Sequence, residues 1–472
     1  MRATYYIAIA AASALLTGCM MGPNYKRPQV AVPATFRAPD PLPAPEAASL
    51  ADAKWFEVFR DKQLQDLIRT ALAQNFDLRD AVARVDEARA NLGITRSNQY
   101  PQVGASGSMN FTRISKNGSL PLPSSLAIDQ DINYGQAGLN LLSFQLDLWG
   151  QLRRATEAAR ANLLNADWNR KNVITTVVSQ VTADYFQLLE LDWELEISQR
   201  TLESRQAFLQ LTQDRQVHGI ATLLDVRQAE QLVFTASESI PQFQQQIEQT
   251  EDTVSVLLGE NPGNIERARR FTDEYVPPEI PAGLPSALLE RRPDIRAAEQ
   301  ALAAANANIG VAKAAYFPQI SLTGFLGGQS NSLSNLFSGP SRAWNFVPQV
   351  TQPIFTAGKL RNNVRLAQAE REDAQVAYEK SIVIAFQQVS DALIAHQRTR
   401  ESRVQQEKLV SALADRKRLA YRRYEGGVDT QLNAIEADTD LLSAELTLAQ
   451  LRYSEVVSVV QLYQALGGGW QS

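Results

Sequence analysis

The chain has 472 residues, of which 44% are hydrophobic and 21% charged, so it is long enough for several domain-sized units and too apolar for general disorder. Its formal net charge of -5 argues against a nucleic-acid-binding protein, because such proteins present clusters of positive charge. No run of about 18 apolar residues follows the N-terminus, so the mature chain is expected to contain no transmembrane helix.

The first 18 residues are predicted to be a lipoprotein signal peptide. Arg2 gives a positive start, residues 5–16 are apolar, and the small residues Thr17 and Gly18 precede Cys19. This arrangement resembles bacterial lipoprotein signals, in which the cysteine becomes the acylated first residue, so Cys19 is the predicted lipidation site. It is the only cysteine of the chain, which excludes an internal disulfide. The alternative is an ordinary signal peptide with an incidental cysteine.

Residues 19–54 are predicted to be a lipid-anchored tether, since the many prolines between positions 23 and 45 exclude a helix. Apolar residues at three- and four-residue steps then predict a helix over residues 55–99. A period of two predicts a strand over residues 103–111 and a second strand that ends at Leu148. Between these strands lies a predicted loop, residues 116–131.

Two stretches without glycine or proline, residues 151–218 and 359–425, predict helices on the order of 100 Å long. Apolar residues recur every seven positions in the first, which predicts left-handed coiled packing along one narrow seam with water on two sides. The seam consists of Ile174, Val181, Leu188, Leu195, Leu202 and Leu209. Taken alone, this helix would suit a dimeric coiled coil equally well.

A shorter helix is predicted after the first long one. It should run from Ile220 to Leu258 with a kink at Pro241, after the long helix has ended at Gly219. Residues 259–285 are rich in glycine and proline and are predicted to be a linker.

The second half of the chain repeats the first, so residues 55–258 and 286–466 are predicted to be two structural repeats, followed by a tail at 467–472. Each repeat reads as a helix, two strands, a long helix and a shorter helix. The second strand pair is predicted at 318–329 and 343–354, where Pro348 favours a sheet edge or a bulge. At an offset of 217 residues, the recurring positions are Asp77, Arg79, Ala81, Ala88, Ala90, Asn91, Gly93, Pro101 and Gln102. At an offset of 208 residues, they are Gly150, Leu152, Arg153, Gly219, Thr222 and Leu224.

Strand counting predicts an oligomer. Four strands cannot close a membrane barrel, because the smallest bacterial ones have about eight and lipid excludes open sheet edges. Three copies would supply twelve strands. Two long helices and two end-to-end pairs of shorter helices per chain would likewise supply twelve helical columns.

Three motifs resemble one family. They are the segment MGPNYKRP at residues 21–28 after the predicted lipidation site, LDLWGQLR at 146–153, and RRPDIRAAE at 291–299. All are similar to the TolC-like outer membrane factors, specifically their lipid-anchored (OprM/NodT-like) efflux branch, and the resemblance covers the whole mature chain. It implies a mixed α and β membrane protein, a homotrimer with a 12-stranded outer-membrane β-barrel continued by a 12-helix periplasmic α-barrel with an equatorial belt.

The resemblance also implies a function. It indicates the outer-membrane exit channel of a tripartite efflux pump, which passively exports drugs or other toxic small molecules. The implied partners are a periplasmic adaptor protein, an inner-membrane pump of the RND class, and outer-membrane lipid. The protein would sit lipid-anchored in the outer membrane of a Gram-negative bacterium with a large periplasmic part. A type I protein-secretion duct and a periplasmic coiled-coil scaffold without a pore remain alternatives.

The turns at Gly219 and Gly427 are predicted to be hairpin tips that contact the adaptor, together with Thr222 and Thr430. The residues that follow are the predicted periplasmic gate: Leu224, Asp225, Asp429, Leu432 and Glu436. Leu432 and Glu436 match positions that line the constricted tunnel end in the family. Rings of leucines and carboxylates would result, with Arg422 or Arg423 as cationic partners. The alternative is that the acids only cap or solvate helix ends.

The sequence contains few residues in arrangements suited to catalysis. His218 and His396 are the only histidines and lie far apart, and no phosphate-binding loop that ends in Gly-Lys-Ser/Thr is present. We therefore expect no enzyme, no cofactor, no metal site and no nucleic-acid partner. His396 continues the heptad row of Ile382 and Val389, so a packing role is expected for it.

Overall fold

The computed structural model describes residues 20–38, 49–115, 131–267, 271 and 285–470. The predicted signal peptide and Cys19 lie outside the described residues, as do nearly all of the predicted loop at 116–131 and most of the linker. The chain divides into two compact units. The first comprises residues 1–28, 86–165 and 299–377, and the second comprises residues 29–85, 166–298 and 378–472.

The first unit contains an antiparallel sheet of four strands in the order β1-β2-β3-β4 among the described residues. The strands are β1 (Val103–Arg113), β2 (Asp131–Leu146), β3 (Gln319–Ser330) and β4 (Arg342–Thr351). All four predicted strands are confirmed, although β4 stops three residues early. Pro348 lies opposite Leu322 on the edge strand β4, as its missing N–H predicts.

Apolar side chains on this sheet are uncovered within one chain. Val103, Met109 and Phe111 of β1 are exposed, and so are Trp344 and Phe346 of β4. At the pair Gly138 and Gly327, a Cβ on Gly138 would lie 2.7 Å from the Cα of Gly327, so the close approach of β2 and β3 there requires glycine.

Residues 21–24 are held in the first unit by Arg154, whose side chain is 2% exposed. Its Nε donates to the Met21 carbonyl (3.0 Å), and its Nη2 donates to the Gly22 carbonyl (3.3 Å) and to Asn24 Oδ1 (2.8 Å). Gly22 has φ +85° and would clash with Gly310 if it carried a Cβ. The first residues of the predicted tether are therefore packed, with no regular secondary structure.

Three helices replace the single one predicted over residues 55–99. They are α1 (Trp55–Val58), α2 (Lys62–Gln74) and α3 (Phe76–Ser97). The prediction of one continuous helix was wrong because side-chain caps interrupt it. Asp61 accepts a hydrogen bond from the Leu64 N–H (3.2 Å), and Asn75 accepts one from the Leu78 N–H (3.0 Å).

Both predicted long helices are confirmed to within one residue. They are α4 (Gln151–Val217), followed by α5 (Leu223–Leu258), and α8 (Lys359–Glu425), followed by α9 (Gln431–Ala465). The second half begins with α6 (Leu288–Arg291) and α7 (Pro293–Ala314). In the first half, α5 continues as one helix through Pro241. Within the described residues, none of the helices has the length and apolar character that a membrane crossing requires.

The core of the second unit surrounds the middle of α4. Between residues 177 and 195 only Gln180 is exposed, so the expectation of a narrow seam with water on two sides was wrong here. The reason is that α2, α8 and α9 also pack around this stretch, with Ile68, Val389 and Val459 in the same cluster. The Tyr185 hydroxyl donates to the carboxylate of Asp61 within this core (3.2 Å).

Candidate functional site

The two hairpin tips share one backbone geometry. Gly219 and Gly427 have φ +71° and +72°, a left-handed conformation that ends a helix and favours glycine. The N–H donors and carbonyl acceptors of the two turns are Gly219 to Gln216 (3.0 Å), Ile220 to Arg215 (2.9 Å), Gly427 to Tyr424 (2.9 Å) and Val428 to Arg423 (3.0 Å). Both glycines therefore end their long helices in Schellman motifs, at the positions that the sequence predicted.

The helix that follows the first tip begins with a reciprocal cap. The Thr222 N–H and hydroxyl donate to Asp225 Oδ2 at 2.7 and 2.8 Å, and the Asp225 N–H donates back to Thr222 Oγ1 at 3.2 Å. This is a capping box, and it places a carboxylate at the positive end of α5. Asp225 therefore takes part in the cap of α5, whatever its role in the proposed gate.

The second tip is capped differently. Thr430 occupies the N-cap position of α9 but its side chain makes no capping hydrogen bond. Asp429 takes that role, because its Oδ1 accepts from the Thr430 N–H (2.8 Å) and from Asn433 Nδ2 (2.6 Å), while its Oδ2 accepts from Arg423 Nε (2.9 Å). The hydrogen bond from Arg423, supported by that from Asn433, lowers the pKa of Asp429 to about 2.

The two tips of one chain are joined to each other. Arg215 Nη1 donates to the Tyr424 carbonyl (2.6 Å), and its guanidinium lies 4.4 Å from the centre of the Tyr424 ring. Gln431 Nε2 donates to the Asp225 carbonyl (2.7 Å), and the Tyr424 hydroxyl donates to Gln431 Oε1 (3.3 Å). Arg215, Tyr424 and Gln431 were not among the predicted tip residues, because their only signal in the sequence is their closeness to the tip glycines.

The predicted gate leucines lie bare on the surface of the single chain. Leu224 is 66% exposed and Leu432 is 57% exposed. Glu436 lies 3.7 Å from Arg416, which also pairs with Asp440, and all three side chains are about half exposed. Such solvated pairs contribute little to stability.

Three charged side chains meet in the interior above the tips. Arg205 Nε donates to Asp438 Oδ2 (2.7 Å), and Lys417 Nζ lies 2.6 Å from Asp438 Oδ1. The side chains of Arg205 and Asp438 are almost completely buried, and Arg205 also donates to the Leu232 carbonyl (3.0 Å). Burial and the nearby Asp438 raise the pKa of the Tyr421 hydroxyl. This cluster joins four helices, and the sequence analysis did not anticipate it.

The two histidines have different surroundings, since His396 is partly buried and His218 is exposed. His396 Nδ1 lies 3.0 Å from Ser458 Oγ, and burial lowers the pKa of its imidazole. His218 Nδ1 lies 2.6 Å from the Asp214 carbonyl in the last turn of α4. In the part of the chain that the structure describes, no group of His, Cys, Asp and Glu side chains is arranged to hold a metal ion.

Comparison with known proteins gives a match along nearly the whole chain. The family model described as "Outer membrane efflux protein" matches residues 67–260 and 284–468. These two segments coincide closely with the two repeats.

Individual relatives also match over nearly the whole chain. The toluene efflux pump outer membrane protein TtgC of Pseudomonas putida is 36% identical over 467 residues, 98% of this chain and 95% of the relative. The cation efflux system protein CusC of Escherichia coli (strain K12) is 34% identical over 455 residues, 96% of this chain and 97% of the relative. The open-state structure of the Neisseria gonorrhoeae MtrE outer membrane channel is similar with a TM-score of 0.85 at 30% identity, covering 96% of this chain and 99% of that one.

Asp438 is expected to be essential for stability. Asp438→Asn leaves the cations of Arg205 and Lys417 without their buried partner, so the free energy of unfolding should fall by about 3–5 kcal/mol. Asp440→Asn removes a solvated partner of Arg416 and is the matched control, with a loss below about 1 kcal/mol. Chemical denaturation in detergent measures both, and equal losses would contradict this account of the cluster.

The carboxyl group of Asp429 should titrate far below an ordinary aspartate. Because its folded pKa is lowered, the stability from its partners is fully present above the ordinary value of 3.8 and is lost as pH falls through about 2. NMR of the labelled carboxyl group measures this, and Arg423→Gln should raise the pKa toward the ordinary value. Arg422→Gln is the control, since Arg422 has no ion pair among the described residues. An equal shift in both variants would refute the role of Arg423.

Proposed function

We propose that this chain, which belongs to the outer membrane efflux protein family, is the outer-membrane exit channel of a tripartite efflux pump. The observation that carries the proposal is likeness along the whole chain to relatives named as efflux proteins, including both repeats. The chain supplies what such a duct needs, namely a four-stranded sheet and two long helices that each end in a hairpin tip.

Three copies are proposed to form the working channel. The sheet ends at β1 and β4, whose outer edges are unpaired among the described residues, and both strands carry exposed apolar side chains. Lipid excludes open sheet edges, so joining β4 of one copy to β1 of the next would close a ring of twelve strands. The helices below would enclose the periplasmic part of the duct.

We propose that the inner-membrane pump, and not this chain, selects the exported cargo. TtgC is named for toluene and CusC for cations, yet both are related to this chain at nearly equal identity along their length. An apolar solvent and a cation require different binding chemistry. We assign export of small molecules to this duct, with a periplasmic adaptor and an inner-membrane pump of the RND class as partners.

Planar-bilayer recording with native mass measurement tests the channel. Purified protein should consist of three chains and give stepwise conductance. Trimers without conductance would favour the periplasmic scaffold over the channel. A monomer with full conductance would overturn the shared sheet, because four strands cannot enclose water.

The periplasmic gate is proposed at Leu224, Asp225, Asp429, Leu432 and Glu436, and the adaptor contacts at Gly219, Gly427, Thr222 and Thr430. Exposure supports this, since Leu224 and Leu432 have no packing role within one chain. A ring of leucines resists wetting, and neighbouring carboxylates attract cations. Asp225 and Asp429 also cap helices, so substitutions of Leu432 and Glu436 test the proposed gate more directly.

Leu432→Ala should raise single-channel conductance, because it widens the proposed apolar ring. Leu409→Ala is the matched control, an exposed leucine well before the tip on α8. Asp225→Ala with Glu436→Ala should reduce cation selectivity. Thr222→Ala removes the cap partner and keeps the Asp225 charge, so it should leave selectivity unchanged. Intact trimers with wild-type conductance and selectivity in all variants would contradict this location of the gate.

Cys19 is proposed to carry the lipid anchor. Mass spectrometry of membrane-extracted protein should find a diacylglycerol-modified N-terminal cysteine, and a free thiol at that position would contradict the proposal. Cys19→Ser need not abolish membrane insertion, since the strands remain and Arg154 holds the chain from Met21 onward without the lipid.

A further inference from the structure

A polar recess lies in the second unit where two helices meet end to end. Helix α9 ends at Ala465 and α7 begins at Pro293. Arg292 joins these ends, because its Nη1 donates to the Ala465 carbonyl (3.0 Å). Residues of α4 and α8 complete the lining of the recess. Its volume is about 500 Å³, which lies within the range of small-molecule sites.

The recess is lined mainly by hydrogen-bonding groups. The described residues around it include no aromatic side chain and no large aliphatic one. Its uncharged polar residues are Asn172, Thr175, Thr176, Gln388, Gln461 and Gln464. Within the part of the chain that the structure describes, the side-chain amides of Asn172, Gln461 and Gln464 have no hydrogen-bond partner. These amides are therefore available to a polar ligand.

The recess contains one carboxylate more than its single guanidinium can neutralise. Arg292 is 7% exposed and is engaged by Asp294, which accepts from its Nε (3.0 Å) and its Nη2 (2.6 Å). The same Nη2 donates to Gln388 Oε1 (2.8 Å). Asp391 has no cation among its described contacts and accepts a hydrogen bond from Gln387 (3.3 Å). The charge left over is negative, so the recess suits a cation.

The internal duplication contains a second joint of the same construction. The end of α5 meets the start of α3 there, and Asn75 Nδ2 donates to the Leu257 carbonyl (2.9 Å). At the offsets of 217 and 208 residues, these two positions correspond to Arg292 and Ala465. Both joints therefore have a side-chain donor on the last carbonyl of the preceding helix.

The two joints differ in the residues that correspond to the lining of the recess. At the offset of 208 residues, the corresponding pairs are Thr175 with Val383, Thr176 with Ile384, and Gln464 with Val256. The polar members of these pairs line the recess, and their counterparts in the other repeat are apolar. The construction of a joint therefore does not require the polar groups, which leaves them free for a ligand.

We propose that the recess binds a small organic cation with several N–H donors, such as a diamine. An ammonium group of the ligand donates to the Asp391 carboxylate, and its other N–H groups donate to the amide oxygens of Gln461 and Gln464. A bare metal ion fits less well, since the space is far larger than an ion and no group of acids among the described residues is arranged to hold one. The inference does not depend on the proposed channel.

Titration calorimetry of the full-length protein in detergent tests the charge. Putrescine (butane-1,4-diamine) should bind, and butane-1,4-diol, which has the same carbon chain without charge, should give no binding heat. Asp391→Asn should weaken putrescine binding about ten-fold, because it removes a charge-assisted hydrogen bond. Asp373→Asn is the matched control, since it removes an exposed charge of the same helix outside the recess. It should leave the affinity unchanged.

A second pair of variants changes the space and keeps the charge. Ala395→Leu places a larger side chain in the lining and should weaken putrescine binding by about five-fold or more. Ala412→Leu makes the same change at an exposed position of α8 outside the recess and should bind putrescine like the wild type. Circular dichroism and native mass check that all variants keep the fold and assembly of the wild type.

The contrary outcomes are distinct. Wild-type protein that gives no binding heat with putrescine would overturn the inference. Equal affinity in Asp391→Asn and Asp373→Asn would also overturn it, because the cation would then bind elsewhere. So would displacement of putrescine by an equal concentration of MgCl₂, since attraction between charges would then explain the binding. Protein that binds putrescine as expected but forms no conducting trimer would contradict the proposed function and leave this inference standing.

Discussion

Each repeat contains a helix of 67 residues, and a helix of that length presents more surface than the rest of one chain can cover. It must be packed along its sides or carry a polar face into water. In α4 the first solution dominates, since the middle of the helix is buried nearly all round and its first turns rest on α7. In α8 residues 362, 366, 369, 373 and 376 stay exposed along one row within a single chain. In the proposed trimer, a neighbouring copy would cover surface of this kind.

The periodicity of apolar residues was enough to predict the helices and strands. The contacts between side chains far apart in the sequence could not be predicted in this way. The heptad and alternating patterns indicated both long helices and all four strands, and two glycines marked the tips. The broken helix at Asn75 was missed because its side chain donates to the Leu257 carbonyl, 182 residues away. Arg205 with Asp438 and Arg215 with Tyr424 are 233 and 209 residues apart. No local pattern marks such pairs, since each residue alone reads as an ordinary charged or aromatic position on a helix.

Buried charge is handled in two ways within the second unit. Asp438 is paired with two cations in the interior, since Arg205 and Lys417 both reach its carboxylate. Glu190 and Glu194 lie one turn apart on α4, are also buried, and have no cation among their described contacts. Burial raises the pKa of both, and the Glu194 charge raises that of Glu190 further. The pair therefore holds a proton more readily than surface glutamates do, which lowers the cost of placing acids in a core.

The tips show why a candidate gate is hard to distinguish from a helix cap by sequence. Asp225 and Asp429 would have the same use in a closed tube or a solid bundle, because each carboxylate accepts a hydrogen bond from a backbone N–H at the start of a helix. Their presence therefore carries little information about a pore. Leu224 and Leu432 differ, since a large exposed leucine stabilises neither cap nor core within one chain. Helix capping therefore leaves the two leucines unexplained, and they are the part of the proposed gate that would find its contacts at the tip of the proposed trimer.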